Sequence, residues 1–224
     1  MRRFWRENSL SIVFLALFLG ALAGQAFAGW NEFNNEATSH EQATISLGRY
    51  VLSSAFGNAV MENWQSEYLQ FTLYILLTVW FVQKGSPESK ELDKAGSEDD
   101  EDQLVGEHAK PGSPAWARAR GLRLRLYSNS LVLVMAAIWL GSWFAQAVTG
   151  WSAHNSDQLV HGEPALSLWQ FAGTANFWEA TLQNWQSEFL AVGSMAVLAI
   201  YLRQRGSPES KPVGAPHAAT GMEG

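Results

Sequence analysis

The sequence predicts an all-α membrane protein with four transmembrane helices, arranged as two tandem hairpins. Three observations predict this fold: four apolar runs, a repeat that covers both halves of the chain, and an uneven distribution of Lys and Arg. Only 16% of the 224 residues are charged, and the chain contains 11 Trp and 12 Phe. The mean hydropathy is nevertheless near zero, because very apolar and very polar segments alternate along the chain.

The four apolar runs are the candidate spans, since about 20 apolar residues are needed to cross roughly 30 Å of hydrocarbon. They cover residues of about 9–28, 66–83, 130–150 and 187–203. The second and fourth runs are short and need their NWQSE flanks, whose Trp64 and Trp185 are predicted interface anchors. The first run is also typical of a secretory signal, with MRRFWR before it and AFA at its end. A matching run deep in the chain argues against that alternative.

The repeat becomes visible when the chain is shifted by 121 residues, which aligns its halves without a gap. NWQSE occurs at 63–67 and again at 184–188, and GSPESK occurs at 85–90 and again at 206–211. Each copy holds two spans, so both copies have the same orientation and are predicted to be parallel repeats. The predicted organisation is repeat 1 at 2–90, an acidic disordered linker at 91–122, repeat 2 at 123–211 and a disordered tail at 212–224.

Two kinds of short segment are predicted to connect these spans. The outer loops contain ISLGRYVLSSAF and LSLWQFAGTANF, which are too short to span and suit helices that lie in the membrane interface. The two GSPESK segments are predicted helix stops, because Gly favours the left-handed cap and Pro cannot continue a helix.

The distribution of charge predicts the orientation in the membrane. Almost all Lys and Arg residues fall on the side of the two termini, which places both termini in the cytoplasm and leaves Arg49 alone outside. The outer loops are acidic and would favour cations. The chain has no Cys, and its net charge of -6 with basic residues next to lipid argues against nucleic acid as a partner.

Small residues recur at every fourth position of the first and third predicted helices, and these ladders are predicted packing faces. Their members are Ala16, Gly20 and Gly24, and Ala137, Gly141 and Ala145. Such faces let helices approach closely, because packing must supply the attraction that the hydrophobic effect does not provide in lipid. The ladders could join the two helices within one molecule or drive formation of an oligomer, and the sequence leaves both alternatives open.

A polar cluster is predicted near the outer surface, roughly 25 Å above the cytoplasmic boundary at 1.5 Å per residue. There Gln25 can meet Glu67, and Gln146 can meet Glu188, while Gln70 and Tyr74 continue a polar stripe along the second helix. The first interpretation is a polar clamp between helices, and the second is a cation or proton entry site.

His40 and His161 occupy equivalent positions, each four residues after an acid, so a helical turn would place His and acid on one face. Two such ligands per repeat are too few for a closed zinc site. The sequence therefore predicts no bound metal, and no cofactor.

The motifs GQAFAGW, NWQSEYLQFTLY, HGEPALSLWQF, NWQSEFL and RGSPESK resemble a family of small bacterial membrane proteins that is described only as a domain of unknown function. The resemblance covers most of both repeats. It implies a bacterial inner-membrane location and four spans, and it supplies no activity, cofactor or site residue.

The absence of a phosphate loop, a nucleophile elbow, a zinc-protease motif and a dinucleotide fingerprint predicts that the protein is not an enzyme. The leading hypothesis is a membrane interaction or scaffold protein, with the lipid bilayer and a second copy or another membrane protein as partners. The alternative is a small cation or proton conduit lined by Glu67, Gln70, Tyr74 and Glu188. A membrane-embedded enzyme is the third hypothesis, ranked last because the candidate residues form no recognisable reaction centre.

Overall fold

Helices form all the regular structure in the computed structural model of the protein, which describes residues 2–222 apart from the side chain of Arg2. Within this range there is no β-strand, as the sequence predicts. The α-helices are α1 (Arg2–Glu7), α2 (Ser9–Ser39), α3 (Leu47–Val51), α4 (Ser54–Leu77), α5 (Leu122–Ser128), α6 (Ser130–Val160), α7 (Leu168–Ala172) and α8 (Ala175–Tyr201).

The four long helices do not coincide with the four apolar runs. Helices α2 and α6 continue ten or so residues past the apolar runs at 9–28 and 130–150, through residues 30–39 and 151–160, which contain no Gly or Pro to interrupt a helix. Helices α4 and α8 begin about 12 residues before the runs at 66–83 and 187–203. Hydropathy does not indicate where a helix begins. The helix starts are instead marked by the capping residues Ser53 and Thr174, whose hydroxyls accept hydrogen bonds from the backbone N–H of Phe56 and Phe177.

Two helices in the described part of the chain, α2 and α6, are long and apolar enough to cross a membrane, judged by length and composition. In the most apolar 18-residue stretch of α2 no residue is buried, and in that of α6 only 11% of the residues are buried. Helices α4 and α8 do not meet the same test, because polar residues interrupt their apolar runs.

The GSPESK segments are turns that follow the helices rather than helix caps. Gly85 and Gly206 have the predicted left-handed φ, at 88° and 81°. However, α4 ends at Leu77 and α8 ends at Tyr201, several residues earlier. The helix-stop prediction is therefore wrong in position: Thr78–Trp80 form a turn after α4, and the extended Leu202 caps α8.

The chain divides into two compact units, and the long helices α4 and α6 contribute to both. The first unit comprises residues 1–61 and 145–172, and the second comprises residues 62–144 and 173–224. Each unit combines segments from both halves of the sequence alignment. The last two residues of the predicted tail, Glu223 and Gly224, lie outside the described residues.

In the first unit, two loops 121 residues apart are held by the same hydrogen bonds. The indole of Trp30 donates to the carbonyl oxygen of Ile45 at 2.6 Å, and the side chain of Asn34 pairs with the backbone N–H and C=O of Ile45 at 2.8 and 3.0 Å. Trp151 donates to Leu166 at 2.6 Å, and Asn155 pairs with Leu166 at 2.8 Å in both directions.

Equivalent glycines in the same unit allow a ring to lie against each long helix. A Cβ on Gly29 would overlap the hydroxyl of the buried Tyr50 in α3. A Cβ on Gly150 would lie 3.2 Å from the ring of Phe171 in α7 and 2.7 Å from the amide oxygen of Asn58. Only glycine lets these short helices pack so closely on α2 and α6.

In the second unit, the two GSPESK turns are built alike. The hydroxyls of Ser89 and Ser210 accept from the backbone N–H of Gln83 and Gln204, at 2.8 and 2.9 Å. The lysine that ends each motif then holds the chain. Lys90 donates to the carbonyl of Gly96 at 3.0 Å and forms an ion pair with Glu98 at 2.9 Å.

Lys211 is the more deeply buried of the two lysines, with 1% of its surface exposed. Its ammonium donates to four backbone carbonyls, of Gly85 at 2.6 Å, His217 at 2.9 Å, Ala219 at 3.1 Å and Pro216 at 3.3 Å. We call this arrangement the Lys211 cage. It ties residues 216–219 to the first GSPESK turn, and Gly221 adds a bond from its N–H to the carbonyl of Ser86 at 3.1 Å.

Three short 3-10 helices lie in the acidic linker, at Leu92–Lys94, Gly106–His108 and Ala115–Arg118. The predicted domain boundaries and the predicted disorder of the linker and tail stay predictions.

Candidate functional site

The NWQSE segment of α4 turns its middle residues inward within the second unit. Gln65 and Ser66 are fully buried, and Leu69 and Thr72 continue the buried face one and two turns further along. The Gln65 amide donates to the carbonyl of Glu62 at 3.1 Å, and the Thr72 hydroxyl donates to that of Tyr68 at 2.6 Å. These bonds satisfy polar groups that would be costly in an apolar environment.

The NWQSE segment of α8, in the same unit, has the opposite arrangement. Gln186 and Ser187 are exposed, whereas Trp185 and Glu188 are partly buried. The indole of Trp185 donates to the side-chain oxygen of Gln65 at 2.7 Å, so the two motifs contact each other directly. Glu188 lies within electrostatic range of Glu67 and beside the Ser66 hydroxyl.

The predicted polar cluster is distributed between the two units. Gln25, partly buried on α2, and Gln146, 1% exposed on α6, belong to the first unit. Glu67, Gln70, Tyr74 and Glu188 belong to the second, where Glu67 is exposed and the other three are partly buried. The predicted pairing of each Gln with a Glu stays a prediction.

The lower end of the predicted polar stripe on α4 is held by the first GSPESK turn. The Tyr74 hydroxyl donates to the carboxylate of Glu88, and the Thr78 hydroxyl donates to the carbonyl of Tyr74 at 2.8 Å. Tyr74 therefore positions the turn that follows α4.

A group of aromatic rings surrounds Trp143 in the second unit, and the sequence analysis did not single it out. Trp143 stacks on Trp139 at 6.1 Å between ring centres and contacts Trp185 at 5.7 Å and Trp178 at 6.0 Å. The indole N–H groups of Trp139 and Trp143 are buried and have no hydrogen-bond acceptor in the described part of the chain. The signal available in the sequence was a Trp at i and i+4 of the third apolar run, a spacing that places both rings on one face.

The predicted small-residue ladders face open space. A Cβ placed on Gly20, Gly24 or Gly141 would meet no other atom of the described structure within 4 Å. The neighbouring ladder residues Ala16, Ala137 and Ala145 are exposed or partly exposed. The two predicted interface anchors differ, since Trp64 is 36% exposed and Trp185 is partly buried against Gln65.

A cavity of about 490 Å³ lies in the first unit, where α2 and α6 end. His40, the residue after α2, and His161, the residue after α6, contact each other there edge to face, with ring centres 6.1 Å apart. Glu36 and Asp157, one turn before these histidines, also line it. The sequence predicts that each His shares a helix face with its acid, and the structure brings both histidines and both acids to one cavity.

A metal site is not formed by these residues. Among residues 2–222, no three or more His, Cys, Asp or Glu side chains are arranged to hold a metal ion. His161 instead forms a pair with its own Asp157, with Nδ1 and a carboxylate oxygen 3.4 Å apart.

Comparison with known proteins gives a family and nothing further. No curated protein and no solved structure matches the chain. A family model described as a domain of unknown function, DUF6766, matches residues 1–222.

Proposed function

We propose a function on the basis of the structure, since the chain belongs to the DUF6766 family and the function of that family is unknown. The proposal is a non-enzymatic inner-membrane protein with four spans in two parallel repeats and cytoplasmic termini. Its role is to associate with a second copy, or with another membrane protein, through the small-residue faces of α2 and α6.

Four spans are supported by the lengths and the exposed faces of the long helices. Helices α4 and α8 have 24 and 27 residues, and about 20 residues suffice to cross the hydrocarbon. Their exposed side chains include Phe71, Leu76 and Leu77 on α4 and Phe189, Leu190 and Leu198 on α8. Polar residues such as Gln65 and Thr72 lower the hydropathy of α4, yet they are buried within the protein, where a membrane protein tolerates them.

The observation that carries the proposed association is the open ladder on α2. Gly20 and Gly24 have no neighbour within 4 Å of an added Cβ, while the apolar residues beside them, such as Leu17 and Phe27, are exposed. In lipid, small residues on one helix face favour a helix partner because backbones can approach closely and gain van der Waals contact.

Cysteine cross-linking in native membranes tests this proposal, since the chain has no Cys of its own. Ala16→Cys, on the ladder, should form a disulfide-linked dimer or a cross-link to a partner, and Phe14→Cys, on the opposite face of α2, should not. Adding Gly20→Leu to Ala16→Cys should abolish the cross-link, and Ala21→Leu should leave it intact. Equal cross-linking at positions 14 and 16 would contradict the proposal.

One observation favours a second candidate, the cation or proton conduit. Glu67 and Glu188 come from the two NWQSE copies and lie within electrostatic range of each other, an arrangement that is costly in a membrane protein unless it has a use.

The test of this second candidate is proton and monovalent-cation flux in proteoliposomes. Flux in the wild type that disappears in Glu67→Gln with Glu188→Gln would support a conduit. The matched variant Gln183→Glu, an added acid at an exposed position of α8, controls for surface charge. A folded wild type without flux would exclude the conduit and leave the scaffold proposal untouched.

A further inference from the structure

The cavity at the ends of α2 and α6 is lined by both acidic and apolar side chains. Its charged and polar lining comes from Glu36, Asp157, His40 and His161, and from Gln42 and three serines. Its apolar lining comes from Phe33, Ala37, Ala55, Ala153 and Val160. A volume of about 490 Å³ falls in the range of small-molecule sites, which are mostly apolar and carry a few polar groups that fix orientation.

The charge of the cavity has two independent sources. The carboxylates of Glu36 and Asp157 are the first, and neither forms an ion pair with a Lys or Arg in the part of the chain that the structure describes. The second is the pair of helix C-termini, because α2 ends at Ser39 and α6 ends at Val160, and the C-terminal end of a helix carries a partial negative charge. No Lys or Arg of residues 2–222 lines the cavity to neutralise it.

We propose that this cavity binds a small organic cation, an ammonium group on an apolar body. A bare metal ion does not suit the site, since no three ligating side chains converge in the described chain. An ammonium needs no such convergence, because one carboxylate and the helix ends suffice to attract it, and the body then covers Phe33, Ala37 and Ala153. His40 and His161 contact each other and both line the cavity, so an aromatic ring from each repeat would lie beside the ligand.

This inference is independent of the proposed association through α2. It depends on residues of the first unit alone, and a monomeric protein would retain the cavity.

The experiment is a calorimetric titration of the whole protein in nanodiscs with three probes, and empty nanodiscs are subtracted to remove partition into lipid. Phenethylammonium carries both the charge and the apolar body, methylammonium carries the charge alone, and 2-phenylethanol carries the body alone. Phenethylammonium is expected to bind at least about tenfold more tightly than either of the others, because charge and body each contribute.

Variants assign the binding to the cavity. Glu36→Gln with Asp157→Asn should weaken phenethylammonium by about tenfold or more and leave 2-phenylethanol unchanged. Ala153→Phe, which fills the cavity, should abolish binding of both. Glu32→Gln removes an acid one turn earlier on α2 that does not line the cavity, and should change nothing.

Phenethylammonium binding no tighter than 2-phenylethanol would overturn the proposal, and so would equal effects of Glu32→Gln and the Glu36 and Asp157 changes. If the double variant does not fold, the single variants Glu36→Gln and Asp157→Asn decide the same question, since both side chains are exposed and are not needed for packing.

Discussion

The two NWQSE segments share five residues and have opposite surroundings. In α4 the Gln and Ser are buried and the Glu is exposed, whereas in α8 the Gln and Ser are exposed and the Glu is partly buried. The loops that follow α2 and α6 behave differently, since Trp30 and Trp151 make the same hydrogen bond at the same distance. A bond made between a helix end and the loop that follows it thus recurs in both copies, while the face that a helix buries depends on its neighbours.

The largest difference between equivalent residues is expected at the two lysines. Lys211→Met should lower the free energy of unfolding by about 2–3 kcal/mol, because four carbonyls lose a charged donor. Lys90→Met should cost less than about 1 kcal/mol, since its ion pair with Glu98 is partly exposed. Unfolding by denaturing detergent, followed by far-UV circular dichroism, measures both. Equal losses would show that the Lys211 cage contributes no more than an ordinary surface pair.

A smaller difference is expected between the two glutamines. Gln65→Ala should cost about 2 kcal/mol, because it removes a fully buried side chain and leaves the indole N–H of the partly buried Trp185 without this acceptor. Gln186→Ala should change stability by less than about 0.5 kcal/mol at its exposed position.

Trp185→Phe tests whether the bond between Trp185 and Gln65 causes the loss of stability in Gln65→Ala. The same unfolding titration should show that the loss from Gln65→Ala shrinks in the Trp185→Phe background, since the bond is already absent. Additive losses would contradict the role assigned to this bond.

Helices α2 and α6 should respond alike to loss of Gly29 and Gly150. Gly29→Ala and Gly150→Ala should each lower the free energy of unfolding by about 1–3 kcal/mol, because a Cβ at either position overfills the contact with Tyr50 or Phe171. Tyr50→Phe removes the hydroxyl that the Cβ would overlap and should restore part of the stability of Gly29→Ala. A thermal melt followed by Trp fluorescence tests this, and a rescue of Gly150→Ala by Tyr50→Phe would be the contrary result.

The smallest effect is expected at the second residue after the end of α2 and of α6. Glu41 has a left-handed φ of 58°, and its equivalent, Gly162, has a φ of 73°. Glu41→Gly should raise the free energy of unfolding by about 0.5–1 kcal/mol, because glycine adopts this conformation without a Cβ clash. Gly162→Ala should lower it by a similar amount. Thermal melts of the two variants test this by the sign of the change in stability. Changes of the same sign would contradict the prediction.

Parts of this structure follow from the sequence and others do not. The all-helical class and the apolar helices α2 and α6 follow from long runs of apolar residues, because such runs dictate contact with lipid or core whatever surrounds them. The length of α2 does not follow, since residues 29–39 are polar and their helix is stabilised by contacts such as that of Trp30 with Ile45.

The candidate sites were predictable to different degrees. The position of each His one turn after its acid follows from the spacing, and the meeting of His40, Glu36, His161 and Asp157 at one cavity depends on long-range packing. The bond from Trp185 to Gln65 was not predictable, because Trp and Gln occur in both NWQSE copies and the repeat does not indicate which Trp meets which Gln.

The Lys211 cage also sets an order of events during synthesis. Gly85 and Lys211 are 126 residues apart in the sequence. At about 5–20 residues per second, Lys211 is therefore synthesised roughly 6–25 s after Gly85. Until residue 211 has been synthesised, the first GSPESK turn lacks this donor. Closure of the cage thus marks a chain whose two halves have both been made and folded, and a prematurely ended chain lacks that mark.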